Sequence, residues 1–191
     1  MKPLILASAS PRRRELLSLT GLPFEVAPTD ADENISLPAP QAVEELSRRK
    51  AESARRVHPG RWILAADTLV TLDGAILGKP QDVADACRML RLLSARTHQV
   101  YTGVTILRPD GFLVSAVDRS DVTFAPLSEE IIAAYVATGE PMDKAGAYAL
   151  QGITAQWISR VEGSPSGVIG LPLFTVRRLL EQADYPFDSH E

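Results

Sequence analysis

The chain has 191 residues, 45% of them hydrophobic and 23% charged, and a formal net charge of −4. That length buries the core of one sizeable domain or of two small lobes, and the mildly acidic balance gives no general attraction to nucleic acid or to an anionic membrane. The single cysteine, Cys87, excludes an internal disulfide and a cysteine metal cluster; no apolar run suits a transmembrane helix and the first residues lack a signal-peptide pattern, so a cytoplasmic, reducing compartment is expected.

Leu4-Ile5-Leu6-Ala7 reads as a short buried strand. A helix follows, with Ser10 as cap, Pro11 in its first position and Gly21 as its stop. Arg12, Arg13 and Arg14 crowd the positive end of that helix, where each exposed cation costs roughly 0.3–1 kcal/mol. A local rule broken three times marks function. Free backbone N–H groups, the hydroxyls of Ser8 and Ser10, and the guanidinium groups of Arg12 and Arg13 form a receptor for a phosphate chain, whereas Arg14 reads as solvated. Phe24 to Ala27 is a strand, and Pro28 to Pro40 is a proline-punctuated loop carrying Asp30, Asp32 and Glu33. Gln41 to Val57 is a helix whose apolar stripe, Val43, Leu46, Ala54 and Val57, includes Lys50 at its centre. A lysine facing inward needs a partner or must snorkel outward.

Arg61 to Leu77 reads as strand, turn, strand. The apolar run Trp62 to Ala66 meets a carboxylate at Asp67, a position suited to holding a divalent cation, to accepting a proton, or merely to capping a strand. Asp73-Gly74 is a two-residue hairpin signal that pairs Leu72 with Ala75 and, counted outward, sets Thr68 opposite Lys79. Ala84 to Leu93 is helical, with Cys87 as a buried structural thiol; Gln99 to Leu107 and Phe112 to Phe124 are strands; Ser128 caps a helix to Thr138. The segment from Gly139 to Gly152 is too rich in breakers for a long element, and it brings Gln151, whose amide can read a base edge, toward a ligand. Gln156 to Val161 is a strand, Gly163 to Pro172 a structural turn without the ending of a phosphate loop, and Leu171 to Gln182 the last helix before a frayed tail. His58 and His98 have neither zinc spacing nor a serine partner, and His190 lies in the tail. The alternation of elements, with hairpins, predicts an α/β fold on a mixed sheet flanked by helices. Metal-assisted attack by water suits these residues better than a nucleophilic side chain.

Ser8-Ala9-Ser10-Pro11-Arg12-Arg13, Asp32-Glu33, Lys50-Ala51, Ala66-Asp67-Thr68, Gly78-Lys79-Pro80, His98 to Val104 and Gly170-Leu171-Pro172-Leu173 run in order over nearly the whole chain and resemble the Maf family of nucleotide pyrophosphatases. Asp143 to Gln151-Gly152 resembles its dTTP/UTP branch. The resemblance implies one domain over residues 1–191, with two lobes around a cleft, a homodimer, no nucleic-acid or membrane partner, and hydrolysis of a nucleoside triphosphate to monophosphate and pyrophosphate with Mg²⁺ or Mn²⁺. It implies that Asp67 accepts the proton of water or binds metal, that Glu33 is a second acidic partner, and that Arg13, Lys50 and Lys79 hold phosphates. Arg12, Thr68 and Gln151 would tune substrate choice. The family often has an aromatic residue where Pro165 stands, so the loop there departs from the pattern. Two other readings stand beside the dTTP/UTP pyrophosphatase: an enzyme of broader or purine preference, and a non-catalytic nucleotide-binding regulator of septum formation, which needs the anion site but neither Asp67 nor Glu33.

Overall fold

The structure, a computed structural model, describes residues 2–187. His190 and the end of the expected tail lie outside the described residues. Seven strands form one mixed sheet: β1 (Leu4–Leu6), β2 (Phe24–Val26), β3 (Ile63–Leu72), β4 (Ala75–Leu77), β5 (Thr97–Leu107), β6 (Leu113–Phe124) and β7 (Ile158–Glu162). Their spatial order is β2-β1-β3-β5-β6-β7, with β4 paired to β3. The short strands β1 and β2 run parallel to each other and to the start of β3, and the long β3, β5 and β6 form antiparallel ladders. The helices are α1 (Pro11–Ser18), α2 (Ala39–Val57), α3 (Val83–Leu93), α4 (Glu129–Ala137), α5 (Pro165–Ile169) and α6 (Leu173–Gln182). Between α4 and β7 the chain makes three short 3₁₀ turns. Among the described residues no helix is long and apolar enough to cross a membrane.

Strand alternation sorts the core. Leu64 and Ala66 of β3 join Leu4, Leu6 and Ile106 against Leu17 of α1 and Val176 and Leu180 of α6. Farther along, Val70 and Leu72 join Val100 and Val122 against α3 and α4 through Leu90, Leu93 and Ile132. Ile63 and Ala65 point the other way, with Ile5 and Leu107, against Ala51 and Ala54 of α2. At Gly103 of β5 an added Cβ would collide with the Val43 backbone carbonyl, so the missing side chain sets how closely α2 lies on the sheet. One turn before Lys50, buried Ser47 shares a 2.7 Å hydrogen bond with Thr105, which fixes the rotation of α2.

The edge of β3 that faces β1 is unevenly covered. Pairing with β1 reaches Leu64, and pairing with β4 begins at Val70. Asp67 and Thr68 therefore lie in an unpaired gap on that edge, while their other edge pairs with Gly103 and Thr102 of β5.

Several expectations are corrected. The hairpin has the predicted Leu72–Ala75 register, with Asp73 (φ 51°) and Gly74 (φ 82°) both left-handed as a type I′ turn requires. Its ladder stops at Val70–Leu77, so Thr68 does not pair with Lys79; the Gly78 carbonyl instead accepts a 3.0 Å hydrogen bond from the Gly146 N–H. The Gly163–Pro172 turn contains the five-residue helix α5, which Ser164 caps through the Gly167 N–H at 3.0 Å. The tail does not fray at Gln182: Ala183 and Tyr185 are buried, and Tyr185 packs edge-on against Trp62 at 5.0 Å. Cys87 is half-buried, and Val57, assigned to the apolar stripe, is exposed at the end of α2.

Candidate active site

A cavity of about 760 Å³ opens at the gap in the β3 edge, and all ten residues singled out in the sequence line it. Neighbouring positions of β3 serve its two sides. Asp67, on the α2 side by strand alternation, meets Lys50; Thr68, on the α1 side, meets Arg13.

On the α1 side, Ser10 caps the helix, its hydroxyl accepting from the Arg13 N–H at 3.4 Å. Ser8 accepts from the Ser10 N–H at 3.2 Å and from Arg13 Nη1 at 3.3 Å. These two hydroxyls thus shape the turn and hold Arg13. The guanidinium is gripped on three sides: Nε donates to the Gly170 carbonyl at 2.9 Å, Nη1 to Ser8, and Nη2 to Thr68 Oγ1 at 3.2 Å. Three of its five N–H groups are used, which leaves one on each terminal nitrogen to donate to an anion. Burial lowers the Arg13 pKa, an effect partly opposed by the charge of Asp67. Thr68 is itself steadied by Thr102 at 3.0 Å, and buried Thr102 donates to the Gly167 carbonyl at 2.9 Å.

On the α2 side, Lys50 Nζ lies 2.6 Å from Asp67 Oδ1 and 2.7 Å from Glu33 Oε1. The lysine faces inward, as its place in the apolar stripe implied, and its partners are two carboxylates. Asp67 Oδ2 makes no hydrogen bond to a described residue. The hydrogen bond from Lys50 holds the Glu33 carboxyl below its ordinary pKa. Glu33 rides on a loop that Arg49 pins, through carbonyls of Asp32 and Asn34 at 3.2 and 3.0 Å. Lys79 lines the same cavity without an ion pair to any described residue, and its charge also favours the Glu33 carboxylate.

Opposite, Arg12 Nη1 reaches Asp143 Oδ2 at 3.1 Å, and Lys144 Nζ reaches Asp143 Oδ1 at 2.7 Å. Asp143 and Lys144 also line the cavity and were not among the expected site residues, although they open the stretch that resembles the dTTP/UTP branch. The lining cations, Arg12, Arg13, Lys50, Lys79 and Lys144, outnumber Glu33, Asp67 and Asp143, five to three. The formal surplus of two suits an anion. Among the described residues no three His, Cys, Asp or Glu side chains converge as a ligand set.

His98 stands behind the cavity wall. It is fully buried and shares a 2.7 Å hydrogen bond with the hydroxyl of Tyr148, which lines the cavity. Burial lowers the His98 pKa from 6.5 to about 4. Between those values the unfolded chain binds a proton that the native state refuses. The stability that depends on neutral His98 is therefore complete above pH 6.5 and falls by up to about 3 kcal/mol toward pH 4. His98→Gln is expected to flatten that part of the pH dependence, read as the difference between urea midpoints of variant and parent at pH 7 and pH 4.5.

A mixed α/β sheet with a polyanion cleft beside its short parallel strands defines the class. The Ham1 protein of Staphylococcus aureus has this fold, with a TM-score of 0.55 at 16% identity over 96% of this chain and 98% of that one. A Ham1 protein from Coxiella burnetii aligns with a TM-score of 0.50 at 15% identity, over 97% and 100%. The model of the Maf-like protein family matches residues 3–183, and the chain belongs to that family. It is 50% identical over 188 residues to the dTTP/UTP pyrophosphatase of Symbiobacterium thermophilum, covering 97% of this chain and 96% of that protein. It is 46% identical over 187 residues to the dTTP/UTP pyrophosphatase of Bacillus cytotoxicus, covering 96% and 97%.

Proposed function

We propose that this protein is a dTTP/UTP pyrophosphatase, hydrolysing these nucleotides to the monophosphate and pyrophosphate. The observation that carries the reading is the convergence on one cavity of the Arg13 guanidinium and the Asp67–Lys50–Glu33 cluster. The names of its near-full-length relatives in the Maf-like family support the choice of substrate.

The triphosphate lies against Arg13, Lys50 and Lys79, whose positive charge opposes the repulsion between phosphates and incoming oxygen. Asp67 orients a water molecule and takes its proton as the water oxygen bonds to the α-phosphorus. The bond from the α-phosphorus to the bridging oxygen breaks, and pyrophosphate leaves with its new charge held by Lys79 and Arg13. Lys50 keeps Asp67 and Glu33 together, and its hydrogen bond favours the Glu33 carboxylate. Asp67 and Glu33, as hard oxygen donors, would be the residues to hold Mg²⁺ or Mn²⁺. Such a cation supplies charge neutralisation to the triphosphate when bound. Arg12, Thr68 and Gln151 contact the remainder of the nucleotide and set its choice.

The test is a panel of nucleoside triphosphates with Mg²⁺ or Mn²⁺, followed by release of pyrophosphate and monophosphate. Selective turnover of dTTP and UTP is expected. Release of orthophosphate and diphosphate would refute the cleavage position, and binding without any turnover would favour a non-catalytic regulator.

A further inference from the structure

Gln151 is exposed in the cavity, and its amide makes no hydrogen bond to a described residue. What holds it is the backbone of its turn. The Gly152 N–H donates to the Ala149 carbonyl at 3.0 Å, and buried Thr154 donates to the same carbonyl at 2.5 Å. The remaining support comes from outside the turn. Glu140 accepts the Ile153 N–H at 3.2 Å on Oε1, and Tyr135 donates its hydroxyl to that oxygen at 3.2 Å. Gly152 lies so close to this carboxylate that an added Cβ would overlap Glu140 Oε1. Tyr135 is almost wholly buried and packs edge-on against Trp157 at 5.7 Å, which anchors the donor. Burial also pushes the Tyr135 phenol pKa up, so it stays a donor across the working range.

The backbone of Glu140 is used as well. Its carbonyl accepts from Lys144 Nζ at 2.5 Å, and Lys144 holds Asp143, the partner of Arg12. One short segment therefore braces both the turn of Gln151 and the Lys144–Asp143 pair, which line the cavity.

We propose that Glu140 is a positioning residue for base selection, acting by fixing the turn that presents Gln151. This rests on the pyrimidine reading above. A uracil or thymine ring offers an N–H beside a carbonyl, and cytosine offers the reverse pattern. A carboxamide can match either edge by turning over. Its chemistry alone does not discriminate; a fixed approach does, because the wrong base then leaves polar groups unpaired. A turn freed from Glu140 lets the amide shift to suit either ring.

The experiment compares dTTP with dCTP for the full chain and for Glu140→Ala, Glu140→Gln and Tyr135→Phe, together with amide hydrogen exchange at Ile153 in the free protein. In Glu140→Ala the ratio of kcat/KM for dTTP over dCTP is expected to fall about tenfold, through KM for dTTP, with kcat within about threefold of the parent. Glu140→Gln keeps an acceptor for the Ile153 N–H and is expected to retain the parent ratio. Tyr135→Phe is expected to fall between them and carries the test if Glu140→Ala does not fold. Faster exchange at Ile153 with an unchanged ratio would overturn the proposal, as would an equal loss of kcat for every nucleotide. If the parent turns over a different set of nucleotides, the pyrimidine reading fails by itself. The role of Glu140 is then judged by whether Glu140→Ala reorders that set.

Discussion

Asp67→Asn is expected to lower pyrophosphate release by about three orders of magnitude, the range for loss of a general base, while nucleotide binding stays within about threefold. The substitution keeps the size of the side chain and an oxygen that can accept from Lys50 Nζ, now 2.6 Å from Oδ1. Lys50 also retains Glu33 at 2.7 Å. Neither the Arg13 guanidinium nor the cationic lining changes, so the phosphates keep their contacts. What disappears is the proton acceptor. Single-turnover hydrolysis and equilibrium binding of a non-hydrolysable triphosphate, measured side by side, separate the two effects. Undiminished hydrolysis would assign the base elsewhere; parallel loss of binding and turnover would make Asp67 a substrate contact.

Lys50→Met is expected to abolish turnover and to cost about 3 kcal/mol of stability, the lower end for breaking a buried charge pair. Side chains of Lys50 and Asp67 are 13% and 12% exposed, so the lost counter-charge is not replaced by bulk water. Met fills the aliphatic space but leaves two facing carboxylates. The Glu33 carboxyl, held below its ordinary pKa mainly by Lys50, then returns toward it. Glu33 itself is largely exposed and contributes little to the loss. Adding Asp67→Asn to Lys50→Met removes one of the stranded charges. Urea denaturation is expected to show part of the stability restored, with hydrolysis still absent. Two losses that simply add would mean that the pair is not coupled.

Much of this site could be read in the chain because local rules were broken there. Arginines at the positive end of α1 and a lysine within the α2 stripe were anomalies that pointed to partners, and the structure supplies them for Arg13 at Thr68 and Gly170 and for Lys50 at Asp67 and Glu33. The hairpin register was legible because Asp73-Gly74 admits few turn geometries. Contacts set by distant backbone were not legible. Lys79 leaves the β3 ladder because Gly78 bonds to Gly146, and no pattern within the hairpin announces this. Apart from the family resemblance, nothing in the polar loop marked Glu33 above Asp30 or Asp32; Arg49 fixes that choice through carbonyl contacts. Helix α5 carried the same Ser-Pro opening as α1, but the glycines at 163, 167 and 170 hid it. The role of Glu140 emerged only when its carboxylate met a turn thirteen residues later.

Arg13 is oriented by the carbonyl of Gly170, 157 positions away in sequence. Contacts closing so long a stretch of chain carry a large entropic cost and tend to form late in folding. Until the segment before α6 has docked, the guanidinium lacks one of the three contacts that fix its direction. A polyanion meeting a half-folded chain finds loose cations, not a receptor. Ligand binding therefore favours the finished molecule over its precursors, and competence to bind is acquired together with completion of the fold.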